Sequence, residues 1–218
     1  MLDLKTLKGP LTVMITGDSV TDCGRTYPYA DYTNNLGGGY VSILHEQITC
    51  TYPEKKIRLV NAGISGNTSR DVRNRWEKDL ENISPSYATL LIGVNDVWRR
   101  FDTYMSPERA VSPGEYEENL RFIAEDAAKR LKGFMIIAPF LFEANDSDPF
   151  KAAVLEYGRI CKHVAADTGA EFLDIQKDID NILKTLNNTA LSPDRVHPNR
   201  VAHALIAKAI LRKWNYEF

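Results

Sequence analysis

The chain lacks long hydrophobic runs, has few cysteines and carries no excess of charge of either sign, and each deficit removes a class of protein. No apolar stretch approaches the length needed to cross a bilayer. Met1 to Lys8 alternate leucine with charge and contain no continuous apolar segment of signal-peptide type, so a cytoplasmic location without a membrane partner is expected. Cys23, Cys50 and Cys161 are odd in number, widely spaced and free of any CxxC, which suits reduced thiols better than a disulfide framework or a zinc site. His45, His163, His197 and His203 include no HExxH pair, and the last two stand six apart, so no metal is expected; His45 and His163 read as structural. The 27 basic and 29 acidic residues intermingle to a net charge of −2, leaving no electrostatic footprint for nucleic acid. Gly37-Gly38-Gly39 is followed by no lysine-serine pair, and no GxGxxG follows a strand, so no nucleotide cofactor is implied. Linkers, repeats and low-complexity segments are also missing, and 218 residues suit one domain spanning 1–218.

What the chain does have is an alternation of short apolar runs with longer helical patterns. Leu11 to Thr16, Ile57 to Asn61, Ala88 to Ile92, Phe134 to Ala138 and Glu171 to Ile175 read as strands buried on both faces. The segments between them are long enough for crossover helices, which predicts an α/β fold: a three-layer α/β/α sandwich with a central five-stranded parallel sheet. A helix is expected from Pro113, capped by Ser112 and ended by Gly133. Others are expected from Pro149 to Thr168 before Gly169, from Pro198 to about Trp214, and through Tyr40-Val41-Ser42-Ile43-Leu44.

Ser19 closes Ile15-Thr16-Gly17-Asp18-Ser19, and Asp194-Arg195-Val196-His197-Pro198 lies near the opposite end. A serine hydroxyl is a poor nucleophile until an imidazole takes its proton, and the imidazole must be held in one tautomer by an acceptor. Ser19, His197 and Asp194 supply those three parts, and Pro193 and Pro198 restrict the loop that carries two of them. Gly63-Ile64-Ser65-Gly66-Asn67 and Gly93-Val94-Asn95-Asp96 each follow a strand-like run. In an open parallel sheet ligands sit beyond the carboxyl ends of the strands, where Ser19, Gly66 and Asn95 all fall. The Asn95 amide can donate to an oxyanion without carrying the charge that would repel it. Each residue also has a plainer reading: a helix cap for Ser19, a positive-φ turn for Gly66, an Asx turn for Asn95, and a cap or loop brace for Asp96. Ser65 is a reserve nucleophile only, since Asn67 replaces the last glycine of a GxSxG elbow.

These four blocks, in this order, resemble the SGNH (GDSL) hydrolases, and the resemblance covers nearly the whole chain. It implies a flavodoxin-like sheet, with Ser19 as nucleophile, Ser19, Gly66 and Asn95 as the oxyanion hole, Asp194 and His197 as the remaining catalytic pair, and no cofactor. The stretches Gly17 to Arg25, Gly38 to Val41, Val60 to Thr68, Gly93 to Arg99 and Asp194 to Pro198 look like the bacterial acetylxylan esterase branch. That branch removes acetyl groups from xylan-derived sugars and includes intracellular, oligomeric members, which implies an acetylated saccharide as substrate and a homo-oligomer.

Aromatic rings can cover the apolar faces of sugars, and Tyr27, Tyr29, Tyr32, Tyr40 and Trp98 cluster after the serine and asparagine blocks. Asp18, Tyr27, Asn67 and Trp98 form the candidate substrate-binding set, while Pro193 stands where the resembled branch has an aromatic. Phe140-Leu141-Phe142-Glu143 and Phe150 flank a polar loop that could be a pocket wall or a subunit contact. Two other functions fit the same blocks: a lysophospholipase- or thioesterase-type acyl hydrolase, and a carbohydrate-binding protein that keeps the fold without turnover.

Overall fold

A computed structural model describes residues 2–102 and 107–217. Strands β1 (Leu11–Gly17), β2 (Ile57–Asn61), β3 (Tyr87–Leu91), β4 (Gly133–Ile137) and β5 (Glu171–Leu173) form one parallel sheet in the order β2-β1-β3-β4-β5. Apolar residues on both faces make these strands two-sided. Val13, Ile15, Leu59 and Ile137 pack to one side, and Met14, Val60, Leu90 and Ile136 to the other. The first side is covered by helices α2 (Tyr40–Thr51), α7 (Gln176–Leu183) and α8 (Arg200–Lys213). The second is covered by α3 (Ser69–Ile83), α4 (Val94–Asp102), α5 (Pro113–Arg130) and α6 (Pro149–Thr168). The expected three-layer α/β/α sandwich is therefore the observed one.

Two helix boundaries read from sequence hold, while Gly133, expected to end α5, is instead the first residue of β4, and the helix ends at Arg130 with Leu131 as its C-cap. Ser112 accepts a hydrogen bond from the Glu115 amide ahead of α5, and Gly169 ends α6 with φ 75°. The last helix begins two residues later than Pro198, because the Asn199 side chain accepts from the Val201 and Ala202 amides and fixes the start at Arg200. β5 is shorter than expected: Asp174 and Ile175 leave the sheet, with Asp174 accepting from the Gln176 amide and Ile175 acting as the N-cap position of α7.

Phe140, Leu141, Phe142 and Phe150 are all buried within the chain, so their loop offers no apolar patch for a subunit contact. What faces outward there is Ala144, Asn145, Asp146 and Ser147.

The strand order reverses direction between β1 and β3, since β1 leads out to β2 on one side and β3 leads to β4 on the other. A crevice at the carboxyl ends of those two strands follows from that reversal. Gly17 at the end of β1 pairs with Leu91 at the end of β3, so the loops after both strands start side by side. Gly93 makes the second of these turns with φ 130°, and a Cβ there would stand 2.7 Å from the Tyr116 hydroxyl and 3.0 Å from Pro139. Gly93→Ala is expected to lower unfolding stability by about 2 kcal/mol or more, because strain and collision add. A denaturant titration checks this; an unchanged midpoint would show that the turn tolerates a side chain.

Candidate active site

Strand β1 delivers Ser19 to the crevice through a single turn of helix, α1 (Ser19–Asp22). Asp18 is the N-cap: its carboxylate accepts from the Val20 amide at 2.9 Å. The capping role considered for Ser19 is thus filled by its neighbour, and the Ser19 hydroxyl turns instead to His197, with Oγ 3.0 Å from Nε2. Asp18 is only 1% exposed, which corrects its assignment as a sugar contact: a sealed carboxylate that caps α1 orients the serine but does not meet solvent. Burial pushes its carboxyl up to about 7, against the opposing Val20 hydrogen bond and with a further upward push from Asp96.

On the far loop, Asp194 Oδ2 lies 2.6 Å from His197 Nδ1. Its other oxygen accepts from the Val196 and His197 amides at 3.0 and 2.8 Å. Burial raises the Asp194 carboxyl, but these hydrogen bonds prevail and hold it below the ordinary value, so it stays ionised beside the imidazole. A carboxylate on Nδ1 places the proton there and leaves Nε2 as a base toward Ser19. Folding the loop this tightly requires Arg195 at φ 71°, an uncommon conformation for a residue with a side chain. The Arg195 guanidinium is clamped by Glu143 at 2.6 Å and Asp148 at 2.9 Å, and its carbonyl accepts from the Phe142 amide. The polar loop after β4 therefore braces the histidine loop, a role that spacing alone does not reveal.

The oxyanion candidates come from the two other loops. Gly66 is exposed and has φ 82°, so its turn reading holds. Asn95 lies in the first turn of α4 rather than in an Asx turn; its Nδ2 donates to the Asn67 carbonyl at 3.0 Å and its Oδ1 accepts from Arg99 at 3.0 Å. Asp96 points the other way, accepting from the Ser69 amide at 3.0 Å and the Ser69 hydroxyl at 2.5 Å, and so ties the start of α3 to α4. It is the brace anticipated, and burial raises its carboxyl to about 6.

Trp98 stands edge-on to His197, ring centroids 5.7 Å apart, and walls the imidazole. Tyr27 is 53% exposed and its hydroxyl donates to Asp22, which also accepts from the Ser65 amide and hydroxyl. Ser65 is thereby engaged with a carboxylate and has no imidazole beside it, so it is no rival to Ser19. The Asn67 side chain accepts from Arg75 at 2.9 Å, making Asn67 part of the frame around Asn95. Of the remaining tyrosines, Tyr40 is fully buried and bonded to Thr21, and the Tyr29 hydroxyl donates to Asp79, while Tyr32 is 63% exposed and stacks on His45. Among the described residues no group of three or more His, Cys, Asp or Glu is arranged to hold a metal ion.

A serine hydroxyl on an imidazole that is itself held by a carboxylate, at the carboxyl ends of a parallel sheet, is the arrangement of a serine acyl hydrolase site. The chain belongs to the GDSL-like lipase/acylhydrolase family, whose sequence profile matches residues 15–205. It is 40% identical over 207 residues to an acetylxylan esterase of Geobacillus stearothermophilus, with 94% of each chain covered. The crystal structure of Axe2, an acetylxylan esterase from that organism, matches with a TM-score of 0.94 at 39% identity over 97% of both chains. Structures of Axe2 described as catalytic mutants carry alanine in place of a serine, a histidine or an aspartate. LAE5, an alpha/beta hydrolase enzyme from the metagenome of Lake Arreo in Spain, matches with a TM-score of 0.92 at 35% identity over 97% of this chain and 99% of its own. The chain is accordingly an ester hydrolase of this family and a homologue of acetylxylan esterase.

Behind the serine, His203 is a structural histidine: Nδ1 accepts from the Tyr40 amide at 3.2 Å, and Nε2 lies 3.4 Å from Cys23 Sγ. Burial lowers its pKa to about 4 from an ordinary value near 6.5. The unfolded chain therefore binds more protons between those values, and folding stability gained from neutral His203 is complete above pH 6.5 and lost as pH falls toward 4. The full effect is at most about 3 kcal/mol. Comparing urea unfolding from pH 7 to 4, His203→Gln should lose less stability than the wild type; parallel curves would contradict this.

Proposed function

We propose that the protein is a serine esterase that removes acetyl groups from acetylated xylo-oligosaccharides or related sugars through an acyl-enzyme. The observation that carries the proposal is the unbroken chain from Asp194 through His197 to Ser19, at 2.6 and 3.0 Å. His197 takes the Ser19 proton as Oγ attacks the ester carbonyl. The amides of Ser19 and Gly66 and the Asn95 side chain receive the charge that develops on the carbonyl oxygen. His197 then returns the proton to the departing sugar hydroxyl, and the acetyl group is left on Ser19. Water, activated by the same imidazole, releases acetate, while Asp194 stabilises the imidazolium in both halves. Trp98 beside His197 and the exposed Tyr27 ring serve as sugar-facing walls in this reading.

The likeness to acetylxylan esterases over nearly the whole chain favours a small acyl group. The proposal extends, on the family resemblance, to a homo-oligomeric, cytoplasmic enzyme.

Acetate released from defined acetylated xylo-oligosaccharides should fall on the order of 10⁴- to 10⁶-fold in Ser19→Ala. Equal release by both proteins would remove Ser19 from the mechanism, and binding without turnover by the wild type would mark a carbohydrate-binding protein. In a series of activated esters, acetyl should be cleaved far faster than octanoyl. The reverse order would favour the lysophospholipase or thioesterase reading.

A further inference from the structure

An oxyanion donor on a flexible side chain works only if the amide presents nitrogen, not oxygen, to the reacting group. Asn95 and Arg99 are four residues apart on α4 and share a face, which brings the Arg99 guanidinium to Asn95 Oδ1 at 3.0 Å. On its other side the Asn95 amide donates one Nδ2 hydrogen to the Asn67 carbonyl at 3.0 Å. Turning the amide over would set NH₂ against guanidinium and oxygen against carbonyl, replacing two attractions by two repulsions. The nitrogen carries a second hydrogen, and with the oxygen and the first hydrogen both committed, its direction is decided.

We propose that Arg99 is the positioning residue of the oxyanion site, holding the Asn95 amide so that its remaining N–H faces the developing oxyanion. This rests on the oxyanion role of Asn95 given above. Arg99 is itself constrained, paired with Asp102 and lying over the Trp98 ring at 5.1 Å. A cation on the amide oxygen also polarises the amide, strengthening its N–H as a donor when negative charge appears on the substrate. Asn67 is framed in turn by Arg75, which also reaches Thr16 and the Gly17 carbonyl at the end of β1.

Hydrolysis of 4-nitrophenyl acetate by the full chain tests this, with kcat and KM measured separately for Asn95→Ala, Arg99→Met, Arg99→Lys and the Asn95→Ala/Arg99→Met double variant. Asn95→Ala should lower kcat roughly 10²- to 10³-fold. Arg99→Met should lower kcat about ten- to a hundredfold with KM within about threefold, because an interaction that matters chiefly in the transition state is weakened. Arg99→Lys should recover part of that loss. The double variant should match Asn95→Ala within about threefold, since Arg99 has nothing left to position. An Arg99→Met loss of the same size in both backgrounds, a change in KM alone, or an unchanged kcat would overturn the proposal. Should Arg99→Met fail to fold, Arg99→Gln carries the same comparison. If Asn95→Ala is silent, the oxyanion reading fails and takes this inference with it. If Asn95→Ala is impaired and Arg99→Met is silent, only the role of Arg99 is lost.

Discussion

The hydrogen bond between Ser19 and His197 joins residues 178 positions apart, and most of the architecture can be understood as what makes that contact possible. One end is carried by β1, buried on both faces inside the sheet, and the other by a loop pinned just before α8. Neither side chain could find the other through local structure. The serine is aimed by Asp18, which starts α1 directly at the end of the strand. The imidazole is aimed by Asp194, whose own geometry depends on Arg195 adopting a left-handed backbone under the grip of Glu143 and Asp148. Both sheet faces contribute: α8 anchors the histidine loop from one layer, while α3 and α4 set Asn67 and Asn95 from the other.

Charge around the crevice differs in character with its surroundings. Ionised Asp194 lies on the imidazole, where a positive charge will develop. Asp18 and Asp96 are sealed from solvent, and burial raises both carboxyls above the ordinary value while hydrogen bonds from Val20 and Ser69 oppose it. The positive charges nearby are guanidiniums engaged with amide or carbonyl oxygens: Arg99 on Asn95, and Arg75 on Asn67 and Gly17. Such groups orient neutral donors, which can stabilise a transient anion without binding a permanent one tightly.

Much of this is legible in the amino-acid order. The strand cores can be read to within a residue or two because burial on both faces leaves uninterrupted apolar runs such as Phe134 to Ile137, and helix ends can be read where Ser112 or Gly169 punctuates them. Ser19, Asp194 and His197 stand out because their chemistry restricts which residues can do the work. Asp18 is misjudged as a sugar contact because burial cannot be read from adjacency to a reactive residue. The meeting of Arg195 with Glu143 and Asp148 is hidden, since it depends on how two distant loops cross. Arg99 is closer to the surface of the sequence: an asparagine and an arginine four apart on a helix is a local signal. The helix itself, α4, is hard to see, its apolar positions being few and its start lying directly behind the turn at Gly93.

The central claim is that pairing with His197 makes Ser19, and no other hydroxyl, the group that accepts the acyl group. Brief exposure to an activated acetate, acid quenching and peptide mass spectrometry measure this directly. The account predicts acetyl on Ser19 in the wild type and none there in His197→Ala. Acetyl on Ser65 or elsewhere with Ser19 unmodified, or equal labelling of Ser19 without the imidazole, would contradict it.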